Sequence, residues 1–401
     1  MPRRFLFRFL TVAVFFCATV SVAQKKVVPK PAYSIPLKSL GYREPLFERV
    51  ISGHFPVTLN FFTANTMLFT FNVRGLLDRD AKHCDGPWDD DQVVRAALIS
   101  LPDGKALAEE KWQLHDHNQY IWPVHDGVLL RRCHQFDLLQ NSLTGNTILD
   151  FPTRPMFVQS SPDGSTIVVE TQHEKHTPEE HERLMQRAIA GDGVIPAEDI
   201  DVNIISLEKR AALGKAQALA PIYVPISHDG IYETLPGQHN RWLINFEPFG
   251  GKSTQIAKVE STCHPILFPL AEDAFLVATC VSALNYHVVI AFRRDGKELW
   301  RDEWLNNLSR PVLAYAANNQ RFAVATVHTL AATSGFGLLD ESSAHTEDIT
   351  VYSTYKGEVL LSIAVSPPYA TGQNFALSPD GSQLAVINHG DLAIYDIPLK
   401  K

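Results

Sequence analysis

Short apolar runs alternate with tight polar turns along most of the chain. Residues 161–165 read SPDGS between FVQS and TIVVE, and residues 378–382 read SPDGS again between FAL and QLAVI. Pro presets φ for a turn, Asp bonds to its own backbone, and Gly tolerates positive φ. Each unit therefore predicts a strand, a tight turn and a second strand. The predicted turn residues are Pro162, Asp163, Gly164, Pro379, Asp380 and Gly381.

Weaker copies of this hairpin recur along the sequence. The turns lie near seven positions, which are Ala64, Asp126, Asp163, Asp229, Glu272, Asn318 and Asp380. The hairpin at Asp229 fits least well, because its second strand reads as short. A second type of hairpin follows each of the first six, as in ALISLPDGKALAE after the first of them. The seventh starts as DLAIYDIP at Asp391 and lacks a partner strand.

Each pair of hairpins supplies four antiparallel strands, named a, b, c and d. Seven such quartets predict an all-β fold, a single seven-bladed β-propeller. The last quartet lacks strand d, and a strand from the other end of the chain would close the ring and remove two exposed sheet edges. Residues 33–38, YSIPLK, are placed to supply this strand. A two-sheet sandwich is the alternative, but it would not need a fourfold strand count repeated seven times.

The phrase Ser-Pro-Asp-Gly followed by an apolar strand resembles the a–b turn of WD-repeat-like and YVTN-type seven-bladed β-propellers. Residues 161–164 and 378–381 carry this resemblance. No blade ends in the Trp-Asp pair of true WD repeats, and the Gly53-His54 dipeptide precedes the first blade and does not recur. The resemblance implies a scaffold that hosts binding modules, lactonases, quinoprotein dehydrogenases and other enzymes, so it leaves the function open.

The first residues predict export. A basic start is followed by an apolar run from Phe9 to Val20 and by the small-x-small pattern Ser21-Val22-Ala23, which is typical of a secretory signal peptide. The run is shorter than the roughly 20 residues that span a bilayer, although an uncleaved anchor is the alternative. We therefore expect a periplasmic or secreted protein. The expected divisions are a signal peptide at 1–23, a segment with the closing strand at 24–53, and the propeller at 54–401.

Charge narrows the range of partners. The formal net charge is −8, and it becomes more negative once the basic signal segment is removed. Binding to nucleic acid needs clustered Lys and Arg, and the sequence has no such cluster. No later segment is long and apolar enough to span a membrane. We expect a soluble monomer that does not bind nucleic acid.

Three b–c connections are predicted to be long, and long loops on one face of a rigid scaffold often form binding sites. They cover residues 72–92 in blade one, 171–201 in blade three and 328–348 in blade six. The blade-three insertion is expected to contain a short helix, with Thr177 as N-cap and Glu180 completing a capping box. The residues expected to dock this helix are Leu184, Met185 and Ile189.

The four cysteines of the exported chain should be oxidised. Cys263 and Cys280 are symmetric about the turn near Glu272, so a hairpin would place them opposite each other at its open end. Cys133 ends strand b of blade two, and Cys84 lies in the b–c loop of blade one on the same face. We therefore predict the disulfides Cys263–Cys280 and Cys84–Cys133. Free buried thiols are the alternative.

No motif identifies a cofactor, and a divalent metal such as Ca²⁺ is the one candidate. The blade-one loop is rich in carboxylates, which Ca²⁺ prefers, but it lacks the spacing of an EF-hand loop. The histidines of the blade-three insertion do not follow the H-E-x-x-H spacing of a zinc site. Solvated loops are the competing interpretation. The candidate ligands are Asp85, Asp89, Asp90, Asp91, His173 and His176.

Two functions remain open. The long loops and the lack of a catalytic motif favour a binding or scaffold module whose partner is a protein, peptide or carbohydrate on the face with the b–c and d–a connections. The alternative is a propeller hydrolase or lyase that acts on a sugar, lactone or peptide at the central channel. Buried ionisable groups that converge at the channel mouth with shifted pKa values would favour the enzyme.

Overall fold

The chain folds as a seven-bladed β-propeller. The computed structural model describes residues 29–44, 56–73, 92–114, 119–172, 200–218, 222–280, 286–305, 311–318, 320–329, 344–369 and 373–398, together with Glu179, Glu182 and Gln186. These residues form seven antiparallel sheets, six of four strands and one of three. The six four-stranded sheets take their strands in the order a, b, c, d, as the paired hairpins predict, and the three-stranded sheet contains strands b, c and d.

The first three blades each contain four consecutive strands. Blade one contains β2 (Val57–Thr63), β3 (Thr66–Val73), β4 (Gln92–Ser100) and β5 (Ala106–Leu114). Blade two contains β6 (Ile121–Val124), β7 (Gly127–Arg132), β8 (Gln135–Leu139) and β9 (Asn146–Asp150). Blade three contains β10 (Pro155–Ser160), β11 (Thr166–Gln172), β12 (Ile200–Ser206) and β13 (Ala211–Ala218).

The next three blades follow the same plan, with one strand missing from blade four. Blade four contains β14 (Gly230–Pro236), β15 (Arg241–Pro248) and β16 (Thr254–Glu260). Blade five contains β17 (Ile266–Ala271), β18 (Ala274–Cys280), β19 (Tyr286–Arg293) and β20 (Glu298–Leu305). Blade six contains β21 (Val312–Tyr315), β22 (Arg321–Thr329), β23 (Ala344–Ser353) and β24 (Val359–Val365).

Blade seven closes the ring with a strand from the start of the chain. Its strands are β25 (Phe375–Leu377), β26 (Gln383–Asn388), β27 (Asp391–Asp396) and β1 (Tyr33–Pro36). β1 pairs antiparallel with β27, and Ile35 lies opposite Leu392. A 3₁₀ turn at Leu37–Leu40 follows β1, and both of its end residues are buried. The predicted closing strand at 33–38 is therefore confirmed, although its last two residues belong to the 3₁₀ turn.

Blade four corrects one expectation from the sequence. Its weak strand is the first rather than the second, since β14 has seven residues. The preceding segment is reduced to a single bridge between Ile226 and Ile231. Pro225 lies within this segment and has no N–H to donate to a neighbouring strand. Its carbonyl still accepts the N–H of Tyr232 at 2.9 Å, so the segment keeps the position of a strand a.

The core lies between neighbouring blades rather than inside any one of them. The face of blade six that carries Ile349 and Val351 packs on Leu384 and Val386 of blade seven, and all four are buried. Aromatic rings fill the gap between blades four and five, where the centroids of Tyr232 and Phe275 are 4.9 Å apart. Each sheet therefore buries both of its faces between its neighbours, which is why an inner strand such as β18 is a nearly continuous apolar and buried run.

Most of the predicted blade-three helix lies outside the described residues. Within it the structure describes Glu179, Glu182 and Gln186, which have helical backbone and exposed side chains. The docking residues Leu184, Met185 and Ile189 are not described, so their role stays a prediction. Within the described parts of the chain, no helix has both the length and the apolar character needed to cross a membrane.

Candidate functional site

The antiparallel strand order divides the connections between two faces of the disc. One face carries the a–b and c–d turns, and is called the a–b face. The other carries the b–c and d–a connections, and is called the b–c face. The three predicted insertions lie between strands b and c, so all three belong to the b–c face. The strands that flank them are β3 and β4, β11 and β12, and β22 and β23.

The predicted metal ligands fall inside two of these insertions and lie outside the described residues. Asp85, Asp89, Asp90 and Asp91 belong to the blade-one insertion, and His173 and His176 to the blade-three insertion. Their chemistry therefore stays a prediction. Among the residues that the structure does describe, no group of three or more His, Cys, Asp or Glu side chains is arranged to hold a metal ion.

A buried carboxyl group, Glu170, holds the chain where it enters blade four. Glu170 is near the end of β11, and the N–H of Ile222 donates to both of its oxygens at 3.3 Å. The amide oxygen of Gln159 accepts the N–H of Val224 at 2.9 Å, and the Gln159 amide nitrogen donates to the Ile222 carbonyl at 3.3 Å. Burial raises the pKa of Glu170 to about 7, against the opposing effect of the Ile222 N–H.

Exposed apolar side chains border this carboxyl group. Phe157 is directly opposite Glu170 in the β10–β11 pair, and 39% of its surface is exposed. Ile222 is 43% exposed. Leu235, near the end of strand b in blade four, adds a third apolar group on the same face and is 36% exposed. The b–c face of blades three and four therefore presents three exposed apolar side chains.

A second buried carboxyl group, Glu347, has the corresponding position between blades six and seven. Its Oε2 accepts the N–H of Tyr369 at 3.0 Å and the side-chain amide of Asn374 at 2.9 Å. Both partners lie in the connection that leads into blade seven. Burial raises the pKa of Glu347 to about 8, outweighing the two hydrogen bonds that favour the charged form.

The two glutamates have similar surroundings, although Glu170 is on strand b and Glu347 is on strand c. Val168 and Glu170 lie on the same side of β11, and Val168 packs on Val224 of blade four. Ile349 is likewise on the same side of β23 as Glu347, and it packs on blade seven. Each glutamate is therefore the last residue, at the b–c face, of a row of apolar side chains. There its carboxyl group accepts a backbone N–H from the connection that leads into the next blade. Neither glutamate was identified from the sequence, although each is a charged residue at a position where the strand pattern places a core side chain.

The disulfides also lie on the b–c face. Cys263 and Cys280 are bonded, with Cα atoms 5.5 Å apart, as the hairpin symmetry predicts. Nearby, the Thr234 hydroxyl is 2.7 Å from Nε2 of His264, whose ring packs edge-on against Trp242. Cys133 is also in a disulfide. Its predicted partner, Cys84, lies outside the described residues, so that pairing stays a prediction.

The two SPDGS turns have the same internal hydrogen bonds. In the first, the Ser161 hydroxyl donates to Oδ1 of Asp163 at 2.6 Å, and the N–H of Thr166 donates to the Ser161 oxygen at 3.1 Å. Ser378, Asp380 and Gln383 repeat this arrangement in the second turn. Gly164 and Gly381 have φ values of +68° and +70°, which favour glycine.

Each SPDGS turn is also joined to the blade before it. The N–H of His125, in blade two, donates to the Gly164 carbonyl at 3.1 Å. In the same way, the side-chain amide of Asn318, in blade six, donates to the Asp380 carbonyl at 2.8 Å. The repeated motif is therefore explained by its place in the ring, because it shapes the a–b turn and presents carbonyls to the neighbouring blade.

A cleft of about 140 Å³ opens on the a–b face between blades three, four and five. It is lined by Pro162, Asp163, Ser227, His228, Ala271 and Glu272. Oγ of Ser227 is 3.4 Å from Nδ1 of His228, and Nε2 of His228 is 3.5 Å from Glu272.

This combination of Ser, His and Glu is not arranged as a nucleophile with its base. Ser227 is 1% exposed, so a substrate could not reach its oxygen. The Arg294 guanidinium also donates to that oxygen at 3.2 Å and occupies one of its lone pairs. Glu272 is largely exposed, so solvent screens its interaction with His228. The buried groups with raised pKa values, Glu170 and Glu347, lie on the other face and between different blades.

Comparisons with known proteins give similarity at the level of the fold. No family model matches the chain, and no curated protein matches it. Among solved structures, the chain is similar to the WD40 domain of Toxoplasma gondii coronin, with 10% identity, a TM-score of 0.43, and coverage of 93% of this chain and 89% of that one. It is also similar to Kluyveromyces lactis Hsv2p, with 12% identity, a TM-score of 0.37, and coverage of 67% of this chain and 70% of that one. Similarity to the Pyrococcus horikoshii acylaminoacyl peptidase has 10% identity, a TM-score of 0.45, and coverage of 86% of this chain and 53% of that one.

Proposed function

We propose that this protein is an exported binding or scaffold module that engages a protein, peptide or carbohydrate partner through its b–c face. The observation that carries the proposal is the pair of exposed apolar residues, Phe157 and Ile222, on either side of the Glu170 carboxyl group. Apolar contact area of this kind drives association when a partner covers it. The three insertions emerge on the same face and would extend the contact.

The hydrolase or lyase hypothesis receives less support from the same geometry. It requires ionisable groups that are buried together at a channel mouth. The cleft on the a–b face instead combines a buried serine with exposed acidic groups, and Glu170 and Glu347 each bond to the backbone of a different connection. A rigid ring with long loops on one face can present fixed contacts to a partner without catalysing a reaction.

Capture experiments with matched variants test the binding face. The mature chain would be immobilised and exposed to envelope extract or culture fluid of its native host, with metal analysis of the same sample. We expect a partner that binds the native chain, is lost from Phe157→Ser/Ile222→Ser, and is retained by Leu107→Ser/Val359→Ser. The control pair is 56% and 46% exposed and lies on strands d of blades one and six. Equal retention by both variants would disprove a site at this face.

Export is part of the proposal and has its own test. The segment with the signal pattern lies outside the described residues, so its cleavage is inferred from the sequence alone. We expect the exported protein to begin at Gln24, directly after Ala23. Amino-terminal sequencing of protein from the native host would show this residue first. A chain that retains Phe9 to Val20 would instead favour a membrane anchor.

A further inference from the structure

Glu347 and Asn374 are hydrogen-bonded to each other, yet each side chain also has one oxygen atom without a hydrogen-bond partner. Oε1 of Glu347 and Oδ1 of Asn374 are both buried and form no hydrogen bond within the described structure. Their other polar atoms are bonded to each other, with the Asn374 amide donating to Oε2 of Glu347 at 2.9 Å. A buried polar atom without a partner is costly and calls for an explanation.

Among the described residues, the surroundings of Glu347 offer no positive charge. On the strands to either side, it lies opposite Val327 and Val365. It forms no ion pair with a Lys, Arg or His among the described residues, and the neighbouring carboxylate of Asp348 adds negative charge. Tyr369 contributes its N–H, while its hydroxyl is engaged with Tyr42 at 2.7 Å. An ionised carboxylate here would be a buried and uncompensated charge, which is strongly unfavourable.

A single proton on Oε1 of Glu347 would provide a hydrogen bond for both unpartnered oxygens, because Oδ1 of Asn374 belongs to the amide that already donates to Oε2. As a neutral acid, Glu347 accepts hydrogen bonds at Oε2 from Asn374 and Tyr369, and its Oε1–H can donate to Oδ1 of Asn374. The acid and the amide then form a reciprocal pair with two parallel hydrogen bonds.

We propose that Glu347 is a neutral carboxylic acid in the folded protein, and that its proton latches the blade six–seven connection to blade six. The connection lies on the b–c face, so the latch ties the conformation of this face to pH. Ionisation removes the Oε1–H donor and leaves Oε1 and Oδ1 of Asn374 as two acceptors facing each other beside an uncompensated buried charge, which opposes the two remaining bonds to Oε2 and releases the latch. The proposal does not depend on the partner proposed above.

The raised pKa fixes the direction of the effect on stability. The unfolded chain loses the Glu347 proton near its ordinary pKa of 4.5, whereas the folded chain keeps it up to about pH 8. Between these values the unfolded state binds fewer protons, so stability falls as pH rises. For this one group the folding equilibrium constant falls by about tenfold per pH unit across that window.

Unfolding of two variants across pH 5–9 tests the latch. Glu347→Gln keeps the reciprocal pair as an amide–amide pair but cannot ionise, so it should lose most of the fall in stability and exceed the native protein at high pH. Asp348→Asn changes the adjacent carboxylate and should keep the fall. If Glu347→Gln is less stable than the native protein at every pH with an unchanged pH profile, Glu347 is ionised and the proposal is wrong.

A direct readout separates protonation from general stability. The carboxyl carbon of Glu347, followed by NMR in the full-length protein, should report the neutral acid at pH 6.5 and the carboxylate above pH 9. The N–H of Tyr369 should exchange faster in the same upper range, beyond the intrinsic effect of pH. A carboxylate signal at pH 6.5 would contradict the latch even if both variants failed to fold.

Discussion

The Arg294 guanidinium of blade five binds both carboxylate oxygens of Asp229 in blade four, at 2.6 and 3.0 Å. It also lies over the ring of Phe246, with 4.2 Å between Cζ and the ring centroid. This one side chain therefore joins a turn of blade four to a turn of blade five and covers part of the aromatic core between them.

Replacement of Arg294 should loosen this joint. We expect Arg294→Ala to lower the free energy of unfolding by about 1–2 kcal/mol in urea titrations, since a charged hydrogen-bonded pair that is partly screened is lost together with its stacking. Arg293→Ala is the matched control, because Arg293 pairs with Asp295 within its own exposed turn. Equal effects of the two variants would mean that Arg294 does not join the blades.

The Asp380 turn should make stability depend on acid. The Ser382 N–H and the Ser378 hydroxyl donate to its carboxylate and hold the pKa of Asp380 below 3.8. This contribution is present above that pH and is lost as pH falls through the lower folded value. Asp380→Asn should therefore cost about 1 kcal/mol at pH 7 and very little at pH 2.

Asp391→Asn is the control for this turn. Asp391 is an exposed carboxylate at the start of β27, and its replacement should leave the acid dependence unchanged. Parallel unfolding curves at pH 7 and pH 2 would decide the matter. An Asp380→Asn variant that loses the same stability at both values would show that packing, rather than the charge, accounts for the effect.

The Cys263–Cys280 disulfide should stabilise the hairpin of blade five. It closes a loop with a sequence separation of 17 residues, for which the loss of chain entropy corresponds to about 3 kcal/mol. In urea titrations, the free energy of unfolding of the Cys263→Ser/Cys280→Ser variant should be lower than that of the native protein by that amount. Alkylation of the unreduced native protein should find neither thiol. If both are labelled, the bridge is absent in solution.

Turn chemistry and pattern could be predicted from the sequence because they depend on neighbouring residues. SPDGS specifies its own hydrogen bonds, and the missing last strand pointed to residues 33–38 because a ring leaves one place for it; the structure places the strand at Tyr33–Pro36. Blade four was misjudged, because residues 223–227, YVPIS, have the apolar pattern of a strand although the structure reduces this segment to a single bridge between Ile226 and Ile231.

The two buried glutamates could not be predicted in the same way. The burial of Glu170 and Glu347 depends on the blade that follows each of them, and their partners, Ile222 and Tyr369, are 52 and 22 residues away. Such a contact becomes visible only when the packing of consecutive blades is known. The predicted metal ligands lie in the insertions of the b–c face, where the sequence remains the only guide.

Burial of the closing strand should contribute directly to stability. Ile35 is 5% exposed and packs in a cluster with Leu59, Ala385 and Leu392. We expect Ile35→Ala to lower the free energy of unfolding by about 2–4 kcal/mol, because it removes buried methyl groups and leaves a cavity. Ser34→Ala, at the exposed neighbouring position, should have little effect in the same urea titration. Similar values for the two variants would show that β1 is not packed.

The closed ring is the central claim, and it depends on β1 supplying the fourth strand of blade seven. Ser34 and Ala393 are directly opposite each other in the β1–β27 pair, so cysteines at these two positions should form a disulfide without added oxidant. Asp396 lies three residues further along β27, roughly 10 Å from Ala393, and serves as the off-register control. The measurement is the mass of alkylated protein without reduction. The account predicts no labelling of the Ser34→Cys/Ala393→Cys pair and full labelling of Ser34→Cys/Asp396→Cys, whereas equal labelling of both pairs would contradict the closed ring.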